Sequence, residues 1–399
     1  MAFVSIIFVA LFIFVLLLSY NLFFKPSSKL LIIAIVFIIF FLGILGLTLN
    51  IGLIELNNTD DFSKLIPYGD YIGGIINPII SVFAVFAAGF AFYAQYDANK
   101  KIQEQFKIQQ FETRLFKMLD IYNINVENLK FISRKKGNNY SGKVIFPHLV
   151  NNFNSLKNEI LSFAEIKQIN VNNLIEEDYL NYVRTKYKFH DINNFILLEI
   201  TYIIFLYGVG VNGRKNINTI LNGKYKKKEL KKILNYLSGK PVEYNKDYEK
   251  YVLDFKNDLV LFTYYDKPNN EKFDKYYNGH QNNLAHYFRH IFMIIKYINN
   301  QDTLSYNQKW EYSKLLRTQM SNHEQELFFL NSISIVGREW ELNHLDDNIR
   351  LITKYDLIKN ISKALRDKYN VEDFYPDVVY EDYARNTLKR ENLEKNIYK

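Results

Sequence analysis

Tyr71-Ile-Gly-Gly-Ile-Ile-Asn-Pro-Ile-Ile-Ser-Val-Phe-Ala-Val-Phe-Ala-Ala-Gly-Phe-Ala-Phe-Tyr-Ala-Gln-Tyr96 runs without one charged residue. A helix rises about 1.5 Å per residue, so roughly 20 apolar residues cover the hydrocarbon core of a bilayer. Two more uncharged runs precede it, Ala2 to Phe24 and Leu30 to Ile54. A soluble core of this size can hide one such helix, but not three crowded into the start of the chain. The first run has no basic residues before it and no small-x-small cleavage site near its end, so it reads as retained rather than as a signal peptide. Three membrane spans are the expectation, at about 3–24, 30–52 and 71–95.

Lysine placement orients them. The first link, Lys25-Pro-Ser-Ser-Lys29, is short and basic, whereas the second carries Glu55, Asp60, Asp61 and Asp70 against Lys64 alone. Lys100 and Lys101 follow the third run. The positive-inside rule then places the N-terminus outside the plasma (inner) membrane and everything after Tyr96 in the cytoplasm. The chain has no cysteine, which excludes a disulfide framework and a thiolate metal site. Net charge is +8, and residues 1–95 hold three lysines and four acids, so the remainder carries about +9. That surplus suits an anionic partner.

Beyond the third run no Gly or Pro interrupts 90–136, and Ile102, Phe106, Leu115, Phe116 and Leu119 recur at helical spacing. A stalk helix over 97–136 is expected. Helical patterns follow near 145–164, 176–190 and 191–207, the last apolar nearly all round and, with Glu199 inside it, read as a buried core helix. Residues 208–224 read as a Gly/Asn loop and 226–237 as a lysine-rich helix. Tyr287, Phe288, Ile291, Phe292, Ile295 and Ile298 mark one late helix, and Tyr312, Leu315, Leu316, Met320, Leu327 and Leu330 a second over about 305–332. Few strands and no internal repeat are visible. The fold class is all-α: a three-helix transmembrane region over 1–96, the stalk, a helical cytosolic domain over 137–365 and a charged tail over 366–399.

Four blocks, in order, resemble the AbiC-type family of phage abortive infection proteins, which are membrane-anchored bacterial defence proteins. The segment Gly69-Asp-Tyr-Ile-Gly-Gly-Ile-Ile-Asn-Pro78 is similar to the family's membrane motif, and Phe111-Glu112 with Phe116 to Leu119 to the stretch just inside the membrane. His286-Tyr-Phe-Arg289 with Ile294-Ile-Lys-Tyr297, and Leu316 to Asn322 with Glu326 to Asn331, resemble its two late helical blocks. The extra N-terminal helix departs from the family's usual two spans, and Thr318 stands where a smaller residue is usual. The resemblance implies a role, halting phage spread, often at the infected cell's expense. It supplies no reaction and no cofactor. The cytosolic domain then senses infection or executes toxicity, and the partners implied are membrane lipid and a phage-derived trigger.

Several constellations bear on chemistry. Gly69, Gly73, Asn77 and Ser81 fall four apart, flanked by Gly74 and Pro78. This small-residue face suits close helix packing, within the chain or in a homo-oligomer through span three. Gly208-Val-Gly-Val-Asn-Gly213 spells GxGxxG, but no βα rhythm surrounds it, so it reads as a helix–helix turn. Arg214, Lys215, Lys226, Lys227 and Lys228 are candidate anion-binding residues, for nucleic acid or lipid headgroups. His286 and His290 lie i, i+4 without the glutamate of a metalloprotease motif, and no metal site is expected. His286, Arg289, Gln319, Ser321 and Glu326 are the polar residues of the late blocks, functional or structural. Arg317-x5-His323 resembles the motif of HEPN ribonucleases, with His323 for proton transfer and Arg317 for phosphate charge, although Thr318 stands where Asn, Asp or His is preferred. A membrane-tethered ribonuclease is therefore the alternative to a non-enzymatic defence protein.

Overall fold

The computed structural model describes residues 65–132, 139–240, 246–257, 278–344 and 349–381, with isolated positions 39, 43, 46 and 276. The first two uncharged runs, the Lys25–Lys29 link and the last residues of the tail lie outside the described residues. Two compact units divide the chain, Met1–Gln109 and Gln110–Lys399.

Helix α1, Leu65–Asn128, contains the third uncharged run and holds Pro78 within it. Ser81 Oγ donates to the Asn77 carbonyl at 2.8 Å, one turn back. Among the described residues no single helix is long and apolar enough to cross a membrane. The helix ends at Asn128 rather than near 136 because the chain turns there into a hairpin: β1, Lys130–Ile132, pairs antiparallel with β2, Asn139–Ser141.

Within the second unit the last turns of α1 bury Phe111, Leu115, Leu119, Tyr122 and Val126. Spacings of three and four place these on one face. Helix α2 (Ile145–Ile166) does the same with Phe146, Leu149, Phe153, Leu156, Ile160 and Phe163. Helix α3 (Glu177–Tyr187) ends in Lys188, and α4 (Ile192–Tyr207) starts from Asp191, whose carboxylate accepts from the Asn194 amide at 3.0 Å. Helix α4 is buried on every face from Phe195 to Leu206 and packs mainly against α2 and the helix that follows it.

Helix α5 (Val211–Ile220) replaces the loop expected over 208–224. Gly208 caps α4 with φ +76°, a conformation that favours glycine, and Gly213 has no room for a Cβ beside the carbonyls of Tyr207 and Gly208. The GxGxxG stretch is thus a tight helix–helix turn, and its glycines serve backbone approach. Helices α6 (Lys227–Gly239) and α7 (Lys246–Lys256) follow.

Helix α8, Gln281–Asn299, buries Leu284, Tyr287, Phe288, Ile291, Ile294, Ile295 and Ile298. The helix expected over 305–332 is two, α9 (Tyr306–Gln319) and α10 (Asn322–Ile333). Both begin with a reciprocal capping box, Ser305 with Gln308 and Ser321 with Glu324. Each box satisfies orphan amides at a helix start, so the chain breaks at Met320 although the apolar spacing runs on. A short turn at Arg338–Trp340 leads to α11 (Leu351–Lys354), α12 (Lys363–Tyr369) and α13 (Val371–Phe374). Residues 366–381 are therefore core and not tail: Arg366, Tyr369, Val371, Phe374, Tyr375, Val378 and Tyr380 are all buried. These helices are four to seven residues long. The described residues are mostly helical, with one small hairpin, which makes the fold all-α.

Candidate functional site

Helix α10 is an apolar core helix with a polar spine. Glu324, Gln325, Glu326, Asn331 and Ser332 are all buried, between Leu327, Phe328, Phe329 and Leu330. A buried carboxylate is costly unless donors meet it. Glu324, with no exposed surface, accepts from the Ser321 amide at 2.7 Å through Oε2. Its Oε1 accepts from the Tyr122 hydroxyl at 2.7 Å and the Tyr287 hydroxyl at 3.0 Å. Burial, and then the Glu324 charge, push the Tyr122 phenol well above its ordinary range, and burial likewise raises Tyr287. Both stay protonated and keep donating. This one side chain ties α1, α8 and α10 together, and it sits in the first turn of α10, where the helix dipole favours a negative charge.

Two further carboxylates repeat the scheme. Glu326 accepts from the Lys368 ammonium at 3.1 Å and the Tyr369 hydroxyl at 2.6 Å, joining α10 to α12. Glu199, at the centre of α4, pairs with the Arg338 guanidinium and accepts from the Tyr225 hydroxyl at 2.5 Å. Arg338 is 3 % exposed and also donates to the Tyr179 hydroxyl at 2.7 Å and to the Ile333 carbonyl at 3.2 Å. Burial works against its charge, but Glu199 outweighs it, so the guanidinium is held more firmly protonated than usual. Along α10 itself, Asn331 donates to the Tyr202 hydroxyl at 2.9 Å, and the Tyr375 hydroxyl donates to Ser332 at 2.8 Å. The arrangement fixes helix register by charge and hydroxyl pairing. Proton transfer to a substrate needs an accessible group, and these are sealed.

The residues singled out in the sequence are dispersed. Arg317 is 5 % exposed, and its Nη1 donates to the carbonyls of Tyr355 at 3.2 Å and Asp356 at 3.1 Å, while the guanidinium lies 5.2 Å over the Trp310 ring. His323 is exposed in the first turn of α10. One is committed to backbone at the end of α11 and the other faces outward. Arg289 is exposed and donates to the Ala285 carbonyl of its own helix at 3.0 Å, with His286 exposed beside it. His290 turns the other way, and its Nε2 meets the Met118 carbonyl at 2.8 Å. Ser321 is the α10 cap. Gln319 presents its backbone carbonyl to Lys143 at 2.8 Å.

The Arg214 guanidinium is engaged within the fold. Its Nε donates to the Val209 carbonyl at 2.7 Å, Nη1 to Asn235 at 2.8 Å, and Nη2 to the Leu234 carbonyl at 2.9 Å and Ser238 at 3.0 Å. Those bonds pin α5 to α6. Lys215, Lys226, Lys227 and Lys228 are exposed. Of the small-residue stretch, Gly69, Gly73, Gly74, Asn77, Pro78 and Ser81 all lie within α1, and Gly74, Asn77, Pro78 and Ser81 are exposed. Among the described residues no group of three His, Cys, Asp or Glu side chains is placed to hold a metal ion.

Sequence reasoning missed Glu199, Glu324, Arg338 and Glu341 as the residues that organise the core. Glu341 is buried, accepts from the Thr353 amide at 2.8 Å and from Arg350 Nε at 3.2 Å, and burial pushes its carboxyl up against the opposing pull of those donors. One signal was available, Ser321-Asn-His-Glu324, a capping box written in the chain.

No curated protein and no solved structure matches the chain. Residues 279–364, from the start of α8 into α12, match the model of a family described as "Putative phage abortive infection protein". The two earlier blocks of resemblance, Gly69 to Pro78 and Phe111 to Leu119, fall outside that segment. It is through α8, α9 and α10, the helices that carry Glu324 and its cap, that the chain is similar to the phage abortive infection family.

Proposed function

We propose that this protein is a membrane-anchored antiviral defence protein that stops phage spread by disabling the infected cell, its helical domain sensing infection or executing the toxicity. The observation that carries the reading is the match over residues 279–364. The three charge-free runs support anchoring, and the lysine asymmetry around them supports an outside N-terminus and a cytoplasmic domain. The small-residue face of α1 supports self-association in the bilayer. A phage component is the partner that such a sensor recognises. Nothing in the placement of Arg317 and His323 favours the ribonuclease alternative over this one.

The test is to express the full chain in a susceptible bacterium and infect it, following phage yield, membrane potential and RNA integrity together. Reduced yield with early loss of potential and intact RNA is expected. Unchanged phage yield across a broad phage panel, at verified expression, overturns the defence role. RNA cleavage with a maintained potential overturns the membrane arm and promotes the enzyme.

A further inference from the structure

A cleft of about 620 Å³ opens where the α3–α4 turn meets the segment after Trp340 and the short helix α13. Its size falls in the range of small-molecule sites, roughly 300–1,000 Å³. Acids and bases both line it, but they are not equally satisfied. Asp373 accepts from the backbone amides of His190 at 2.8 Å and Asp191 at 3.0 Å, and from the His190 ring at 2.6 Å. Burial alone would raise its carboxyl, yet those donors hold it below the usual carboxylate range. Glu341 is met by Thr353 and Arg350, and Glu372 accepts from Arg366 Nε at 3.0 Å. Every acid on the wall is answered from within the fold.

The cations differ. Lys186 Nζ donates to the Tyr182 hydroxyl at 2.9 Å and more weakly to the Asn343 carbonyl at 3.4 Å, both uncharged acceptors. Lys188 is exposed, and no acid among the described residues pairs with it. It holds φ +55°, the left-handed region that glycine or asparagine usually fills at a helix end. Arg350 is shared between Glu341 and Asp377, the latter at 3.1 Å, and His344 lies 3.2 Å from Glu339. The rim therefore keeps two ammonium groups without counter-charge. Beside them the Tyr187 ring stacks on Phe189, with centroids 5.3 Å apart, and Phe374 packs on Phe189 at 4.7 Å.

The half-buried Tyr187 ring next to uncompensated ammonium groups fits a ligand with a flat ring at one end and phosphates at the other. From this geometry we infer that the cleft binds a mononucleotide, its phosphates on Lys186 and Lys188 and its base toward Tyr187. The inference rests on the cleft alone and stands whether or not the defence role does.

The full-length chain, purified in detergent, is titrated with ATP, adenosine and tripolyphosphate. Saturable ATP binding is expected, with adenosine and tripolyphosphate each weaker. The double variant Lys186→Gln with Lys188→Gln should bind ATP about tenfold more weakly at an unchanged thermal midpoint, the loss of one half-buried and one exposed charge contact. If that variant unfolds early, Lys188→Gln alone, at an exposed position, carries the same comparison. Absence of saturable ATP binding, or equal binding by a folded variant, overturns the site. Adenosine or tripolyphosphate binding as tightly as ATP overturns the nucleotide assignment.

Discussion

The Glu199–Arg338 pair shows how much a single residue can decide. Removing one partner of a buried ion pair leaves the other charge uncompensated and costs about 3–5 kcal/mol. Arg338→Ala should therefore lower the stability of the domain by that amount in denaturant unfolding. Replacing both partners by apolar residues, Glu199→Leu with Arg338→Met, should recover most of the loss, and failure to recover would show that the tyrosine hydroxyls around the pair matter more. At Arg317 two charge-assisted bonds to carbonyls are at stake, so Arg317→Ala should cost about 1.5–3 kcal/mol. His323→Ala should shift stability by less than about 0.5 kcal/mol and leave protection against phage intact. A folded His323→Ala protein that no longer protects would restore the ribonuclease reading. Arg289→Ala belongs with His323, since that arginine reaches only its own helix. None of this pairing was legible in the chain, because Glu199 and Arg338 lie 139 residues apart and Tyr122 and Glu324 lie 202 apart. A buried glutamate in an apolar helix announces a partner without naming it.

Elements were more legible than partners. The spacing from Leu284 to Ile298 gave α8 because one stripe faces the core, and Phe195 to Leu206 gave α4 because no face is polar enough to be outside. The break between α9 and α10 was hidden, since Leu316, Met320, Leu327 and Leu330 keep a helical period across it while the cap at Ser321 overrides them. Ser321→Ala removes the acceptor for the Glu324 amide and should cost about 1 kcal/mol, measured by denaturant unfolding. A neutral result would mean that the buried tyrosines alone set the start of α10. Residues 366–381 were unreadable for a different reason. Helices of four to seven residues give no measurable period, and their aromatic and valine side chains are buried by long-range packing. Likewise the helix over Val211–Ile220 is weak in propensity and exists because Arg214 and Gly213 lock it onto its neighbours.

At the scale of the whole molecule the prediction concerns topology. The chain has no cysteine, so an introduced one is a unique label. With the N-terminus outside, a cysteine replacing Ser28 should be shielded from an impermeant thiol reagent in intact cells, and one replacing Asn58 should react. The reverse pattern would invert the arrangement and move the large domain outside.

The convergence of phenols on buried carboxylates gives the protein an optical property. Tyr122, Tyr202, Tyr287, Tyr369, Tyr375 and Tyr380 are essentially inaccessible, and burial, reinforced in several by a nearby carboxylate, raises each above the ordinary tyrosine value. In the unfolded chain these hydroxyls ionise near pH 10, so the folded state loses relative stability as the solution is made more alkaline than that, and is unaffected below it. Phenolate absorbance should accordingly rise in two stages: a gradual, reversible climb from the exposed rings, then an abrupt jump when the domain opens and the sealed rings ionise together. On the way back toward neutrality the two stages should separate in time, the second waiting on refolding. A smooth single curve, retraced on acidification, would mean that solvent reaches these rings without the core coming apart.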